Sequence, residues 1–309
     1  MAPQAATVAP RNLVHRQHEQ EVLVSAPTRL EDGLYESAPG PGEPSPYYRD
    51  HPHSYWADVL FLAELGRQAG MSAGHAYAGL SLGTAFFFNS VMVEILDLPG
   101  LNGLRDRPRV RTRQEVLATR KDGTPRQLVF SQEIIDPADA PLARTRMEVQ
   151  GLQATKYEEI RRYQRGGSQP PRTSTVEVQA VSGTHVLPSS LLGREDMSNV
   201  VVSDLDCGPG RSRARLSPDF ANTSLFDHDY DHYPAMVLIE AGRQVTVGSA
   251  SGGNGFPVVT SVSARFPGFA ELDAVTTVSA QECANRFEVS VEQNGSAVSS
   301  MQMAVEWLR

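Results

Sequence analysis

The chain has 309 residues, 40% hydrophobic and 21% charged, which is enough apolar material for two ordinary globular units. A formal net charge of −8 argues against nucleic acid as a general partner. No apolar run approaches the roughly 18 residues of a membrane span, and two cysteines, Cys207 and Cys283, are too few for a disulfide framework.

Residues 1–10 carry neither a basic stretch nor an apolar one. They read as a frayed tail rather than a signal peptide, and a cytoplasmic protein is expected. Val22 to Ser25 predicts a short strand, and the Pro/Gly/Ser-rich stretch Ser37 to Pro46 a loop. A polar and aromatic approach containing His51 and His53 leads into a helix from about Ala57, ending between Gly74 and Gly79. Ala85 to Phe88 opens a series of strands. Arg105, Arg107, Arg109, Arg111 and Arg113 alternate at period two, lining one strand face with positive charge. A hairpin is predicted around Asp122-Gly123, then a strand over Arg144 to Leu152 and a short surface helix or strand extension over Lys156 to Gln164. After the Gly/Pro-rich residues 166–172, Val200 to Ser203 predicts a strand and Asp204 to Ser224 an irregular stretch containing Arg211, Arg213 and Arg215. A helix from about Pro234 follows. Four strands come last: Val258 to Phe266, Val275 to Cys283, Arg286 to Gln293 and Ala297 to Trp307, with a type I′ turn at Asn294-Gly295.

The two helices carry one signature. Glu-x-Gly-Arg-Gln occurs at Glu64-Leu65-Gly66-Arg67-Gln68 and again, 176 positions later, at Glu240-Ala241-Gly242-Arg243-Gln244. Upstream, Arg16 precedes Val22-Leu23-Val24-Ser25 by six residues, just as Arg194 precedes Val200-Val201-Val202-Ser203, an offset of 178. Two matches in one order indicate a duplicated unit of about 150 residues. The expected units are 11–165 and 173–309, joined by the linker 166–172. One long helix followed by sequential antiparallel strands is an α+β pattern, in which the sheet wraps the helix. Met236, Val237, Leu238, Ile239 and Ala241 leave the second helix almost no polar face, so it is expected to be buried. Glu240, Arg243 and Gln244 share one side of it at i, i+3 and i+4. Charges placed there must pair or serve a site.

A helix wrapped by a curled antiparallel sheet is the hotdog fold, and Pro234 to Gln244 resembles the helix segment of hotdog acyl-ACP dehydratases and thioesterases. The chain is more similar to the A-factor biosynthesis (AfsA-like) family of tandem hotdog proteins. Asp231, His232, Pro234, Met236, Leu238, Glu240, Ala241, Arg243 and Gln244 match that family's second-repeat motif. Glu64, Arg67, Gln68, Ala69, Gly70, His75 and Gly79 match its first. Ala235 departs from the family's usual glycine. The resemblance implies transfer of a β-ketoacyl chain from an acyl carrier protein or CoA thioester to the hydroxyl of dihydroxyacetone phosphate. That ester leads to γ-butyrolactone-type, butenolide or furan signalling molecules.

The residues fit that chemistry as follows. Glu240, raised in pKa by burial, would be the general base. Arg243 would clamp the phosphate or pair with Glu240, and His232 would orient substrate or share a proton. The free N–H groups of Ala235 and Met236, beside Tyr233, would hold the thioester oxyanion. Gln244 and, in the first repeat, Glu64, Arg67 and Gln68 complete the expected substrate-binding set. Each has a plain rival: Glu64–Arg67 and Glu240–Arg243 as buried ion pairs locking the halves, the glutamines as partners of backbone groups, His75 as structural. The Asp227 to Asp231 run reads as a solvated turn and the arginine runs as solvated strand faces, with acidic carrier protein as the alternative for the latter. His51, His53 and His228 share no metal spacing, and no metal or cofactor is expected. The competing functions are a hotdog thioesterase or dehydratase and a non-catalytic acyl-binding regulator. Phe226, fourteen residues before Glu240, stands where dehydratases carry their histidine.

Overall fold

The computed structural model describes residues 8–40, 43, 45–52, 58–104, 108–176, 188–250 and 254–308. His53, Arg105, Arg107 and residues 1–7 of the expected tail lie outside these. In chain order the elements are β1 (Thr28–Glu31), β2 (Leu34–Ser37), α1 (Val59–Tyr77), β3 (Thr84–Ile95), α2 (Leu98–Gly103), β4 (Arg109–Thr119), β5 (Pro125–Ile135), β6 (Pro141–Gln153) and α3 (Ala154–Gln164). The second half holds β7 (Val202–Gly208), β8 (Arg211–Leu216), α4 (Ala235–Ala250), β9 (Phe256–Arg265), β10 (Thr276–Cys283), β11 (Arg286–Gln293) and β12 (Ser296–Leu308).

The twelve strands among the described residues form one antiparallel sheet in the order β1-β2-β4-β5-β6-β3-β9-β12-β11-β10-β8-β7. Its first half curls over α1 and its second over α4. The halves meet where β3 pairs β9, from Ser90 opposite Arg265 to Glu94 opposite Ser261. This is the tandem helix-in-sheet arrangement that the resemblance implies.

Both helices are buried because their sequences leave no other option. Leu60, Phe61, Leu62 and Leu65 of α1 and Val237, Leu238, Ile239 and Val245 of α4 are all at most 2% exposed. Each such side chain contributes about 1.5–3 kcal/mol by leaving water. The glycine inside the repeated signature lets the sheet approach. A Cβ on Gly66 would stand 2.4 Å from Thr145 Oγ1, and one on Gly242 2.8 Å from Met303 Cε. Asp58 starts α1 by accepting the Phe61 N–H at 2.8 Å, a side-chain N-cap. Asn294 and Gly295 both have positive φ, 51° and 75°, as the predicted I′ turn requires.

Three expectations change. Val22 to Ser25 forms no strand, only isolated bridges such as Val24 to Pro39, because the Leu23 N–H donates to the Gln68 side chain instead of a neighbouring strand. The stretch after Asp204 is regular as far as Leu216, where β7 and β8 form a hairpin, and irregular over Ser217 to Ser224 as expected. The charged segment Lys156 to Gln164 is helical, but Arg161 on it is fully buried.

Candidate active site

Two near-identical polar clusters sit on the central helices. On α4 the Glu240 carboxylate, with no exposed surface, accepts from Arg243 Nε and Nη2 at 2.8 Å, from Arg194 Nε at 2.8 Å and from Gln244 Nε2 at 2.6 Å. On α1 Glu64 accepts from Arg67 Nε and Nη2 at 2.7 Å, from Arg16 Nε at 3.0 Å and from Gln68 Nε2 at 2.6 Å. Each glutamine also bridges to the segment before it: Gln68 to Glu21 O and Leu23 N, Gln244 to Asn199 O and Val201 N. The upstream arginine of each repeat, paired by spacing in the sequence, is thus the second cation of each carboxylate.

That second cation reverses the expected chemistry of Glu240. Burial alone pushes a carboxyl up, but Arg194 and Arg243 outweigh it and hold Glu240 down to about 2. Glu64 is likewise held at about 2, against burial, by Arg16 and Arg67. Neither carboxylate has the proton affinity of a general base at neutral pH. Arg243, engaged with Glu240 and the carbonyls of Leu192 and Gly193, is 4% exposed at its side chain; Arg67 is 13% exposed.

The halves are wired to each other reciprocally. Asp50 accepts from the N–H groups of Glu195 and Asp196 at 2.8 and 3.0 Å. Asp227 accepts from those of Gln17 and His18 at 2.5 and 3.2 Å. Arg194 donates to Tyr47 O at 2.8 Å and lies 4.3 Å over the Tyr47 ring. The Asp227 to Asp231 run is therefore not a solvated turn: Asp227 is 2% and Asp231 6% exposed. Its ordering power comes from backbone donors on the opposite half.

At the start of α4 a different group assembles. His232 Nδ1 lies 2.6 Å from Asp231 Oδ1, which also accepts from the Tyr157 hydroxyl at 2.7 Å. Arg161 donates to the other Asp231 oxygen at 3.1 Å and to Glu271 at 2.7 Å. Burial raises Asp231, yet His232, Tyr157 and Arg161 together keep it ionised. A carboxylate accepting at Nδ1 fixes Nε2 as the nitrogen that exchanges protons with a substrate. The side chain of His232 is 22% exposed. Val237 and Leu238 donate back to Pro234 O, while the N–H groups of Ala235 and Met236 donate to no described residue. Tyr233, 8% exposed, borders a cavity of about 210 Å³ lined also by Leu216, Phe220 and Leu272.

Among the described residues no cluster of His, Cys, Asp or Glu has the form of a metal site. His51 is buried near Asp58, and Cys207 and Cys283 are exposed. Arg109 and Arg111 pair with Glu36 and Asp139, and Arg113 with Glu31, so that face is neutralised within the chain. No described helix is long and apolar enough to cross a membrane.

The sequence profile of the A-factor biosynthesis hotdog domain matches residues 1–147 and 178–306, spanning both repeats. The chain belongs to the A-factor biosynthesis family. A relative from Streptomyces coelicolor named 2-oxo-3-(phosphooxy)propyl 3-oxoalkanoate synthase is 29% identical over 287 residues, 88% of this chain and 81% of its own length. One of that name from Streptomyces griseus is 28% identical over 81% of this chain and 82% of its own. The fold is shared with the 12:0-ACP thioesterase from Umbellularia californica (TM-score 0.52, 10% identity, covering 91% and 100% of the two chains). It is shared too with the dehydratase domain of the CurF module of curacin polyketide synthase (TM-score 0.50, 13% identity, covering 92% and 97%). Within the family's second-repeat motif, His232 and Met236 are partly exposed, whereas Asp231, Glu240, Arg243 and Gln244 are buried. Sequence reasoning missed Tyr157 and Arg161, on a segment whose charge reads as surface.

Proposed function

We propose that this chain transfers a β-ketoacyl group from a thioester to the hydroxyl of dihydroxyacetone phosphate, an early step toward a γ-butyrolactone-type signalling molecule. The observation that carries this is the match of both repeats to one family, together with two relatives named for that ester's synthesis that share four fifths of their length with the chain. The start of α4 supports it chemically. The unclaimed N–H groups of Ala235 and Met236 hold the oxygen of the thioester carbonyl as it becomes an oxyanion. His232, oriented by Asp231, orients the thioester at the helix entry. The cavity beside Tyr233, of mixed lining, takes acyl carbons against its Leu216, Phe220 and Leu272 wall.

Glu240, Arg243 and Gln244 hold the helix to its repeat and set the place of its N-terminus rather than react. The thioester is carried by an acyl carrier protein. Its acidic surface is met by Arg211 and Arg213, which are in no ion pair among the described residues and, with Arg265, line an outer groove of about 940 Å³. The test is thiol release from a β-ketoacyl thioester with and without dihydroxyacetone phosphate, with the ester identified by mass. Release that requires the phosphate supports the transferase; equal release without it makes the protein a thioesterase and refutes the proposal.

A further inference from the structure

The two helix clusters are copies, so the places where they differ are informative. Position 193, in the second repeat, is a glycine with φ 71°; a Cβ there would lie 2.7 Å from Arg243 Nη1. Its counterpart in the first repeat, by the same 178-residue offset that relates Arg16 to Arg194, is His15. His15 keeps the left-handed backbone, φ 54°, although it has a side chain. A non-glycine residue held there is uncommon, and such strain gathers at functional sites.

The side chain so placed is wired. His15 Nε2 lies 2.7 Å from His75 Nε2, and His75 Nδ1 lies 3.0 Å from Leu80 O. A carbonyl only accepts, so His75 carries its proton on Nδ1 and its Nε2 is a bare acceptor. His15 must then donate from Nε2, which leaves His15 Nδ1 as a lone pair. Both rings are neutral: burial, then Arg67, His75 and His228, hold His15 down to about 3. The rings stack at 5.0 Å, and Phe86 meets both edge-on. Arg67 uses Nε and Nη2 on Glu64 and Val14 O, while its Nη1 donates to no described residue. His228, its side chain 35% exposed beside Asp227, comes from the opposite half.

We propose that this cluster is the acceptor half of the active centre, with His15 Nδ1 as the base for the hydroxyl of a phosphorylated three-carbon alcohol, His75 positioning His15, and Arg67 Nη1 facing the phosphate. The assignment rests on the transferase proposed above. The hydroxyl oxygen bonds to the thioester carbonyl carbon, its proton passes to His15 Nδ1, the C–S bond breaks, and the proton returns to the thiolate, giving ester and thiol. Burial is the first cause of His15's weak basicity and Arg67 the second; an anionic phosphate beside Arg67 offsets the second, and its negative charge favours the imidazolium that forms as the hydroxyl proton is taken. The second repeat, with glycine at 193 and its arginine enclosed, lacks this centre.

His15→Gly is the decisive variant, because glycine is what the same backbone carries at position 193. It is expected to melt no lower than wild type and to lose phosphate-dependent thiol release about 10²-fold or more, with the donor KM unchanged. His75→Ala is expected to lower kcat at least tenfold while leaving KM for dihydroxyacetone phosphate within twofold. In parallel, histidine ¹⁵N spectra of wild type are recorded with and without dihydroxyacetone phosphate. Perturbation of the His15 and His75 signals supports the site even if no acyl transfer occurs, which would sink only the transferase. A folded His15→Gly that keeps release within threefold of wild type, or wild-type spectra that the phosphate leaves unchanged, overturns the assignment.

Discussion

Replacing Glu240 by Gln leaves Arg194 and Arg243 buried side by side, at 0% and 4% exposure, with no anion between them. Four donors converge on the wild-type carboxylate at 2.6–2.8 Å. The amide offers one oxygen to them and turns an NH₂ group toward guanidinium donors. Removing one partner of a buried ion pair costs about 3–5 kcal/mol; with Arg243 left without its carboxylate and Arg194 left with only Asp58 at 4.0 Å, the upper half of that range applies. At about 2–4 °C per kcal/mol for a large chain, the melting temperature should fall by roughly 8–20 °C. Scanning calorimetry measures the fall, and thiol release below the variant's melting temperature measures activity. Folded Glu240→Gln should keep kcat/KM within about tenfold, since a lock is not a base. A melting temperature within 2 °C of wild type joined to a hundredfold loss of kcat would refute this account and return Glu240 to the chemistry.

Acid stability should follow the same carboxylates. Glu64 and Glu240 lie below their ordinary value of 4.5, so their stabilisation is complete above pH 4.5 and lost as pH falls through about 2. His15 and His51, held from 6.5 to about 3 and about 4, start the decline earlier, because the unfolded chain binds their protons first. Urea titrations from pH 7 to 2 should show both limbs, and His15→Gly should flatten the upper one. Ala235→Pro removes one backbone donor where proline suits a first helical turn, so the fold should survive while kcat drops about 10²–10³-fold; an unchanged kcat would clear that N–H of any oxyanion role. Gly66→Ala should cost about 1–3 kcal/mol in urea unfolding, because the new carbon meets the Thr145 hydroxyl that donates to Gln132 at 2.5 Å. Gly242→Ala should cost less, since it meets the flexible end of Met303.

What the sequence made legible was whatever the helix period and the duplication encode. Glu64, Arg67 and Gln68 had to share a face, and their copies at 240, 243 and 244 had to do the same. Arg16 and Arg194 were visible as a matched pair. Their purpose was not, because the contact that gives Arg194 its role spans 46 residues to Glu240 and no local pattern reports it. The Glu240 shift runs opposite to the sequence expectation for that reason: burial is inferred from neighbours in sequence, compensation only from neighbours in space. Arg161 and Asp227 were hidden likewise, since a charge on a polar stretch looks solvated until its partner, Asp231 or the turn at Gln17, is brought across. His15 left a usable signal. Aligning the repeats on Arg16 and Arg194 sets a histidine opposite Gly193, and that substitution could have been noticed.

The exchanged aspartates constrain how the polypeptide matures. Asp50 caps a turn 145 residues downstream, and Asp227 caps one 210 residues upstream. While the chain is being synthesised, the turn at Gln17 and His18 has no acceptor until Asp227 has left the ribosome, long after the first helix and its strands have emerged. The nascent first half therefore carries an unfinished amino-terminal arm beside the Glu64 cluster for most of its translation. Neither half, expressed by itself, holds the carboxylate that closes its own turn.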